Sequence, residues 1–376
     1  MKSADTQATV SRRNFVRAAL LGCAGLTSRV FGADTSGSLL VDPRMRRLAA
    51  DAPLAMQFRG ESASDAREWQ RVFRTQLETL LGSYRPPKQW DSVLERTVEL
   101  PDHIREERLL TATGRDPVPV YLLRPRGATT GKRAGILAIH GHGMGYDTIA
   151  GRDETPALKA ELERFRYDYG LQLARRGYVV VAPCLTPFGR RLATDITTPR
   201  GDACEVTQLR LLMLGRNLMT ENLRDCLWAF EFLIAQPDVH RERLGCVGLS
   251  LGGRMTMLTT AVEPRLKVAV MAGSLNCLQE RVMSKSVGGC QTIPGLLNFG
   301  DVPEIAGLIA PRPILWTVGD RDKLIDKGWA EKALARIRRV YRALGAENDV
   351  AVHEFSGGHE WNGEKAYPLL DRVLTR

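Results

Sequence analysis

Gly248-Leu249-Ser250-Leu251-Gly252 sets a serine between two glycines, each two residues away, at the end of the apolar run Leu244–Val247. A helix-like segment follows from Arg254 to about Val262. Strand, sharp turn and helix in that order are the context in which a G-x-S-x-G serine is presented as a nucleophile. The residue types fit that task. A serine at the tip of a strained turn aims its Oγ into a cleft, and side chains two positions to either side would collide there, so both are glycine. The N-terminal N–H groups of the following helix face any negative charge that develops beside the serine.

A serine nucleophile requires a base and an acid to orient it, in the chain order Ser, Asp/Glu, His for this arrangement. Of six histidines only His353 and His359 follow Ser250. His353 lies within Asp349–Phe355, which reads as a strand, so it is expected to be structural. His359 lies in the glycine-rich segment Ser356-Gly357-Gly358-His359-Glu360-Trp361, off that strand's C-terminal end, where catalytic groups gather in a parallel sheet. His359 is therefore the expected base. The buried-strand run Pro313–Val318 closes in Gly319-Asp320-Arg321-Asp322. Asp322 is the expected acid, because the turn must carry a carboxylate back toward the histidine. Asp320 is expected to cap the turn, and Asp326 is a further alternative.

An oxyanion hole also needs an N–H from a loop after an earlier strand. Ala134–Ile139 reads as that strand and His140-Gly141-His142-Gly143-Met144-Gly145 as that loop. A rival reading takes His140 and His142 as an H-x-H metal pair, but Gly143, Met144 and Gly145 stand where further ligands would have to follow. No second group of His, Cys and Asp has ligand spacing, so neither a metal nor another cofactor is expected.

These residues must be carried by a large core. The chain has 376 residues, 44% of them hydrophobic, enough for one sizeable α/β domain. Strands are expected near 94–100, 107–112 and 118–124, followed by alternating strands and helices. That alternation predicts an α/β fold with a mostly parallel central sheet and helices on both faces. Residues 33–93 read as a short helical N-terminal extension, with Ala63–Leu81 its most helical part, and residues 94–376 as the catalytic domain. Thr148–Glu163 and Leu185–Arg216 could roof the site. His140, Arg190, Arg191 and Trp361 sit in segments following strands on the same edge and are candidate substrate contacts.

From about Leu94 onward the chain resembles bacterial α/β-hydrolases of the dienelactone hydrolase and acetyl xylan esterase type, specifically the exported group with a His-Gly-His-Gly loop. Further matching segments are Asp168-Tyr169-Gly170, Arg176–Pro183, Asn222–Asp225, Cys290 with Ile293–Leu297, and Leu308–Pro313. The resemblance implies a triad of Ser250, Asp322 and His359. It also implies oxyanion donors at the backbone N–H groups of Leu251 and His142. It does not fix the substrate.

The N-terminus carries a separate signal. Ser11-Arg12-Arg13-Asn14-Phe15-Val16 matches a twin-arginine export motif, and Ala18–Leu26 is a short, weakly apolar segment. Residues 1–32 thus read as a signal peptide with cleavage before Ala33, and Leu20-Leu21-Gly22-Cys23 offers a lipoprotein alternative acylated at Cys23. Six cysteines remain beyond Cys23, among which Cys277 and Cys290 could pair in an oxidising compartment, while Cys226 and Cys246 are expected in the core. The net charge of +10 comes with no aromatic interleaving and no nucleic-acid motif, so nucleic acid is not an expected partner. No apolar run reaches transmembrane length. The favoured function is a serine carboxylester hydrolase acting on an acylated carbohydrate or small ester. The competing classes are a non-catalytic envelope binding protein and a peptidase-like hydrolase. The roughly 60 residues between Ala33 and Leu94 are too few for the propeller that oligopeptidases carry.

Overall fold

A computed structural model describes residues 40–127, 131–195, 202–284 and 288–375. Arg12, Arg13, Cys23 and the expected cleavage before Ala33 lie outside the described residues. The chain divides into a unit up to Arg44 and a unit from Met45 to Arg376.

Among the described residues nine strands form one sheet: β1 Asp91–Glu99, β2 His103–Ala112, β3 Arg115–Pro125, β4 Arg133–Ile139, β5 Val179–Pro183, β6 Val239–Leu249, β7 Val268–Ala272, β8 Ile314–Gly319 and β9 Val350–Phe355. Their order is β1-β2-β3-β5-β4-β6-β7-β8-β9. The first three are antiparallel, joined through β3–β5, and the pairings from β5 through β9 are parallel. From β4 the chain turns one way to β5 and later the other way to β6. The C-terminal ends of β4 and β6 therefore flank the switch point, where open parallel sheets bind ligands.

The central parallel strands β4, β5 and β7 are almost wholly apolar because both faces are covered. Side chains alternate between two cores along each strand. In β4, Leu137 and Ile139 face one core and Ile136 and Ala138 the other. In β5, Val179 and Val181 are likewise divided from Val180 and Ala182. Helices Leu218–Ile234, Leu251–Val262 and Lys327–Ala343 supply residues to the first core, and Tyr169–Arg175 and Ala366–Leu374 to the second.

The segment before the sheet belongs to the first core. Helix Ala63–Leu81 starts at Ser62, whose hydroxyl accepts from Asp65 N–H while the Asp65 carboxylate accepts from Ser62 N–H. Its buried residues Ala66, Phe73 and Leu77 share a cluster with Leu137 of β4 and Trp316 of β8. The extension thus contributes to the same core as the sheet, and β1 begins at Asp91, ahead of the expected boundary at Leu94. No helix among the described residues is long and apolar enough to cross a membrane.

Candidate active site

Ser250 stands between β6 and helix Leu251–Val262 with φ 62° and ψ −120°. Few non-glycine residues occupy that region, and where one does the surrounding structure has to hold it there. The holding contacts are Ser250 N–H to Ala272 O at 2.9 Å and Arg254 N–H to Ser250 O at 3.0 Å. The flanking glycines are dictated by close approach. A Cβ on Gly252 would lie 1.9 Å from Ile139 O, and one on Gly248 would lie 2.4 Å from Gly252.

Parallel strands end on one edge, so the turns after β8 and β9 reach the same side as the serine. Asp322 Oδ2 lies 2.7 Å from His359 Nδ1. The Asp322 side chain is 1% exposed and that of His359 16%. The other Asp322 oxygen accepts from Leu324 N–H at 2.9 Å, so the carboxylate is held on both sides. A carboxylate can only accept, which makes Nδ1 the protonated nitrogen and leaves the lone pair on Nε2. Nε2 is buried and has no hydrogen-bond partner among the described residues. Asp320 occupies a different place: its Oδ1 accepts from Gly357 N–H at 3.0 Å, tying the β8 turn to the histidine loop. Asp326 caps the next helix, accepting from Trp329 N–H at 3.0 Å. His353 lies in β9, as expected.

Ser250, Asp322 and His359 line one cavity of about 620 Å³. His142, Arg164, Phe165, Tyr167, Arg254 and Asn276 also line it. Arg254 and Tyr167 were missed from sequence. Arg254 lies one helical turn after Ser250, a spacing that puts it on the same helix face, so a signal existed. It is 2% exposed and donates to Asn276 Oδ1, while its Nε and Nη1 have no partner among the described residues. Tyr167 donates its hydroxyl to His142 O at 3.1 Å and so holds the loop after β4. Glu161 holds the same loop by accepting from Met144 N–H at 2.9 Å.

None of the four candidate substrate contacts is among the cavity-lining residues, and each has a structural partner instead. His140 is 1% exposed: its Nε2 accepts from Leu185 N–H at 2.9 Å and its Nδ1 lies 2.7 Å from Gly141 O. It is a strut between two loops, and burial pulls its imidazole down to about 4. Arg190 is paired with Glu95, Nη2 to Oε1 at 3.0 Å, and Arg191 with Asp225, Nη1 to Oδ2 at 2.6 Å. Trp361 is 3% exposed, stacked on Tyr169 at 4.5 Å between centroids, and donates Nε1–H to the Tyr367 hydroxyl at 3.2 Å.

Cys226 and Cys246 lie in the core as expected, but the expected pairing of Cys277 with Cys290 is not found. Cys184, Cys204, Cys226, Cys246, Cys277 and Cys290 are all free and buried. Cys290 Sγ lies 2.9 Å from His142 Nε2 instead. Cys204 joins them, and the ligand atoms of His142, Cys204 and Cys290 lie within 4.8 Å of one another. No local pattern announces this group, because its members come from three distant segments.

The sheet order and the strand–serine–helix elbow are those of an α/β-hydrolase. The chain belongs to the Abhydrolase family (Abhydrolase_7), whose model matches residues 44–365. It is 30% identical over 298 residues to the Bacillus subtilis (strain 168) protein named "Putative hydrolase YtaP", covering 76% of this chain and 92% of that protein. Among solved structures it is similar to one described as a putative acetyl xylan esterase from Bacteroides fragilis NCTC 9343. That match has TM-score 0.71 and 19% identity, and covers 86% of this chain and 84% of the other. It is also similar to an acetyl xylan esterase from Paenibacillus sp. R4, with TM-score 0.56 and 16% identity over 86% of this chain and 99% of the other. At these identities the two structures speak to the fold.

Proposed function

We propose that the protein is a serine carboxylester hydrolase working through an acyl-enzyme, with an acylated, above all acetylated, carbohydrate or a small ester as substrate. The observation that carries this reading is the cavity shared by Ser250 on its strained elbow and the His359–Asp322 pair. His359 Nε2 takes the Ser250 proton as Oγ attacks the ester carbonyl. The backbone N–H groups of Leu251 and His142 hold the oxyanion. Asp322 keeps the imidazole oriented and stabilises its cation, and the imidazolium then protonates the departing alcohol. Water, activated by the same histidine, releases the acid and restores Ser250.

A hydroxyl-rich alcohol suits a wall bearing Arg164, Arg254, Asn276 and Gln291, which offers donors and acceptors for a sugar. The structural likeness to proteins described as acetyl xylan esterases supports the same substrate class. In this proposal Arg12 and Arg13 direct export by the twin-arginine route to the periplasm or beyond, with acylated Cys23 the lipoprotein variant.

A fluorophosphonate probe tests the reading. The expected adduct maps to Ser250, and hydrolysis across a panel of acetylated glycans and aryl esters falls by about 10⁶-fold in Ser250→Ala. Labelling elsewhere, or a cleanly folded Ser250→Ala within tenfold of the parent, would overturn it.

A further inference from the structure

His142 follows β4, Cys204 stands in the first turn of helix Ala203–Met213, and Cys290 lies in the short 3-10 turn Gly289–Gln291. Their imidazole nitrogen and two sulfurs converge within 4.8 Å. Cys204 is 1% and Cys290 0% exposed, whereas His142 lines the cavity together with Asp202, Glu205, Gly288 and Gln291. The turn can approach the helix this closely only because residue 289 is glycine, since a Cβ there would lie 2.7 Å from Cys204 O.

We propose that His142, Cys204 and Cys290 form a three-ligand site for zinc or a similarly soft divalent cation, opening onto the cavity. Imidazole and thiolate are the donors that such a cation selects. Three protein ligands with a fourth position open to water or another small ligand is the pattern of an accessible zinc site rather than a closed structural one. Charge favours it as well. A bound dication would balance two thiolates and a neutral imidazole to zero net charge, which removes the penalty for burying them. Binding would release both thiol protons to solvent, with nothing oxidised or reduced.

The proposal does not rest on the hydrolase reading and is tested without an activity assay. The full-length protein, purified under reducing conditions and freed of metal by a chelator, is titrated with Co²⁺ and then Zn²⁺. One equivalent of cobalt is expected to give a thiolate-to-metal charge-transfer band with strong tetrahedral visible bands, and zinc to bleach both. Cys204→Ala and Cys290→Ala should each weaken uptake by at least about 100-fold, with folding checked by near-ultraviolet circular dichroism. The parent's own cobalt spectrum is decisive even where a variant fails to fold. Absence of the charge-transfer band, or equal uptake by both folded variants, would overturn the proposal. So would an intact mass, under non-reducing conditions, lower by the two hydrogens of a Cys204–Cys290 disulfide.

Discussion

The cavity is lined by residues of two kinds of origin. Ser250, Asp322 and His359 stand one to four residues beyond the ends of β6, β8 and β9, on turns tied to one another by backbone hydrogen bonds such as Arg321 N–H to Gly357 O at 2.9 Å. His142, Tyr167, Asp202 and Gln291 come from the long connections β4–β5, β5–β6 and β7–β8. Tyr167 braces the His142 loop by one hydrogen bond, and Cys290 meets His142 across a large sequence separation. Strand ends fix a side chain through the hydrogen-bonded ladder of the sheet itself. Loop walls depend on individual contacts, each worth roughly 1 kcal/mol. Disturbing the first region is therefore expected to abolish turnover, and disturbing the second to tune it.

The sharpest test within the strand-end region is the pair of aspartates two residues apart. Asp322→Asn is expected to lower turnover by about 10⁴-fold, because an amide in that position favours the wrong imidazole tautomer. Asp320→Asn keeps a side-chain oxygen for Gly357 N–H and is expected to cost less than about tenfold. Steady-state kinetics of both variants on one activated ester decide it. The reverse ranking would move the acid to Asp320 and put the β8 turn in a different working geometry.

The same contrast explains what could be read from the sequence. Each triad candidate follows a short apolar run within a few residues, and in a parallel sheet that alone places it on the ligand edge. For His140, Arg190, Arg191 and Trp361 the same rule gives only the edge. Being on the right edge does not say which way a loop side chain turns. Arg190 and Arg191 are claimed by Glu95 and Asp225, carboxylates far away in sequence, and the apolar body of Trp361 is claimed by Tyr169. His140 immediately follows β4 and is still under the sheet's cover, while His142, two residues on, reaches the cavity. The His142–Cys204–Cys290 group had no local pattern, since only the tertiary fold brings its parts together.

The buried histidine gives the next largest effect, on stability rather than rate. Burial holds His140 at about 4, below the usual value near 6.5 in an unfolded chain. Between those values the unfolded chain binds the extra proton and the folded one does not, so stability rises with pH across this window. The contribution is complete above about pH 6.5 and is lost as pH falls toward 4, up to an amount on the order of 3 kcal/mol. His140→Gln keeps an oxygen to accept Leu185 N–H but has no proton to gain. Urea unfolding at several pH values should show a flatter acid limb for the variant than for the parent. Parallel limbs would mean that His140 is not the group responsible.

The smallest effect tests the loop wall directly. Tyr167 lines the cavity and donates its hydroxyl to the carbonyl of His142, whose N–H is the proposed oxyanion donor. It is a positioning residue in this account. Tyr167→Phe keeps the ring, including its contact with Phe165 at 5.3 Å between centroids, and removes one hydrogen bond. Such a bond contributes roughly 0.5–1.5 kcal/mol, which corresponds to about two- to thirteenfold in rate if it is felt in the transition state. The oxyanion exists only once Ser250 has attacked, so the loss should fall on kcat while KM stays within about twofold. A side chain that merely packed would lower the melting temperature and leave kcat alone. A variant with lower Tm and unchanged kcat would therefore separate the loop wall from catalysis, and a lower kcat at unchanged KM would join the two regions in one mechanism.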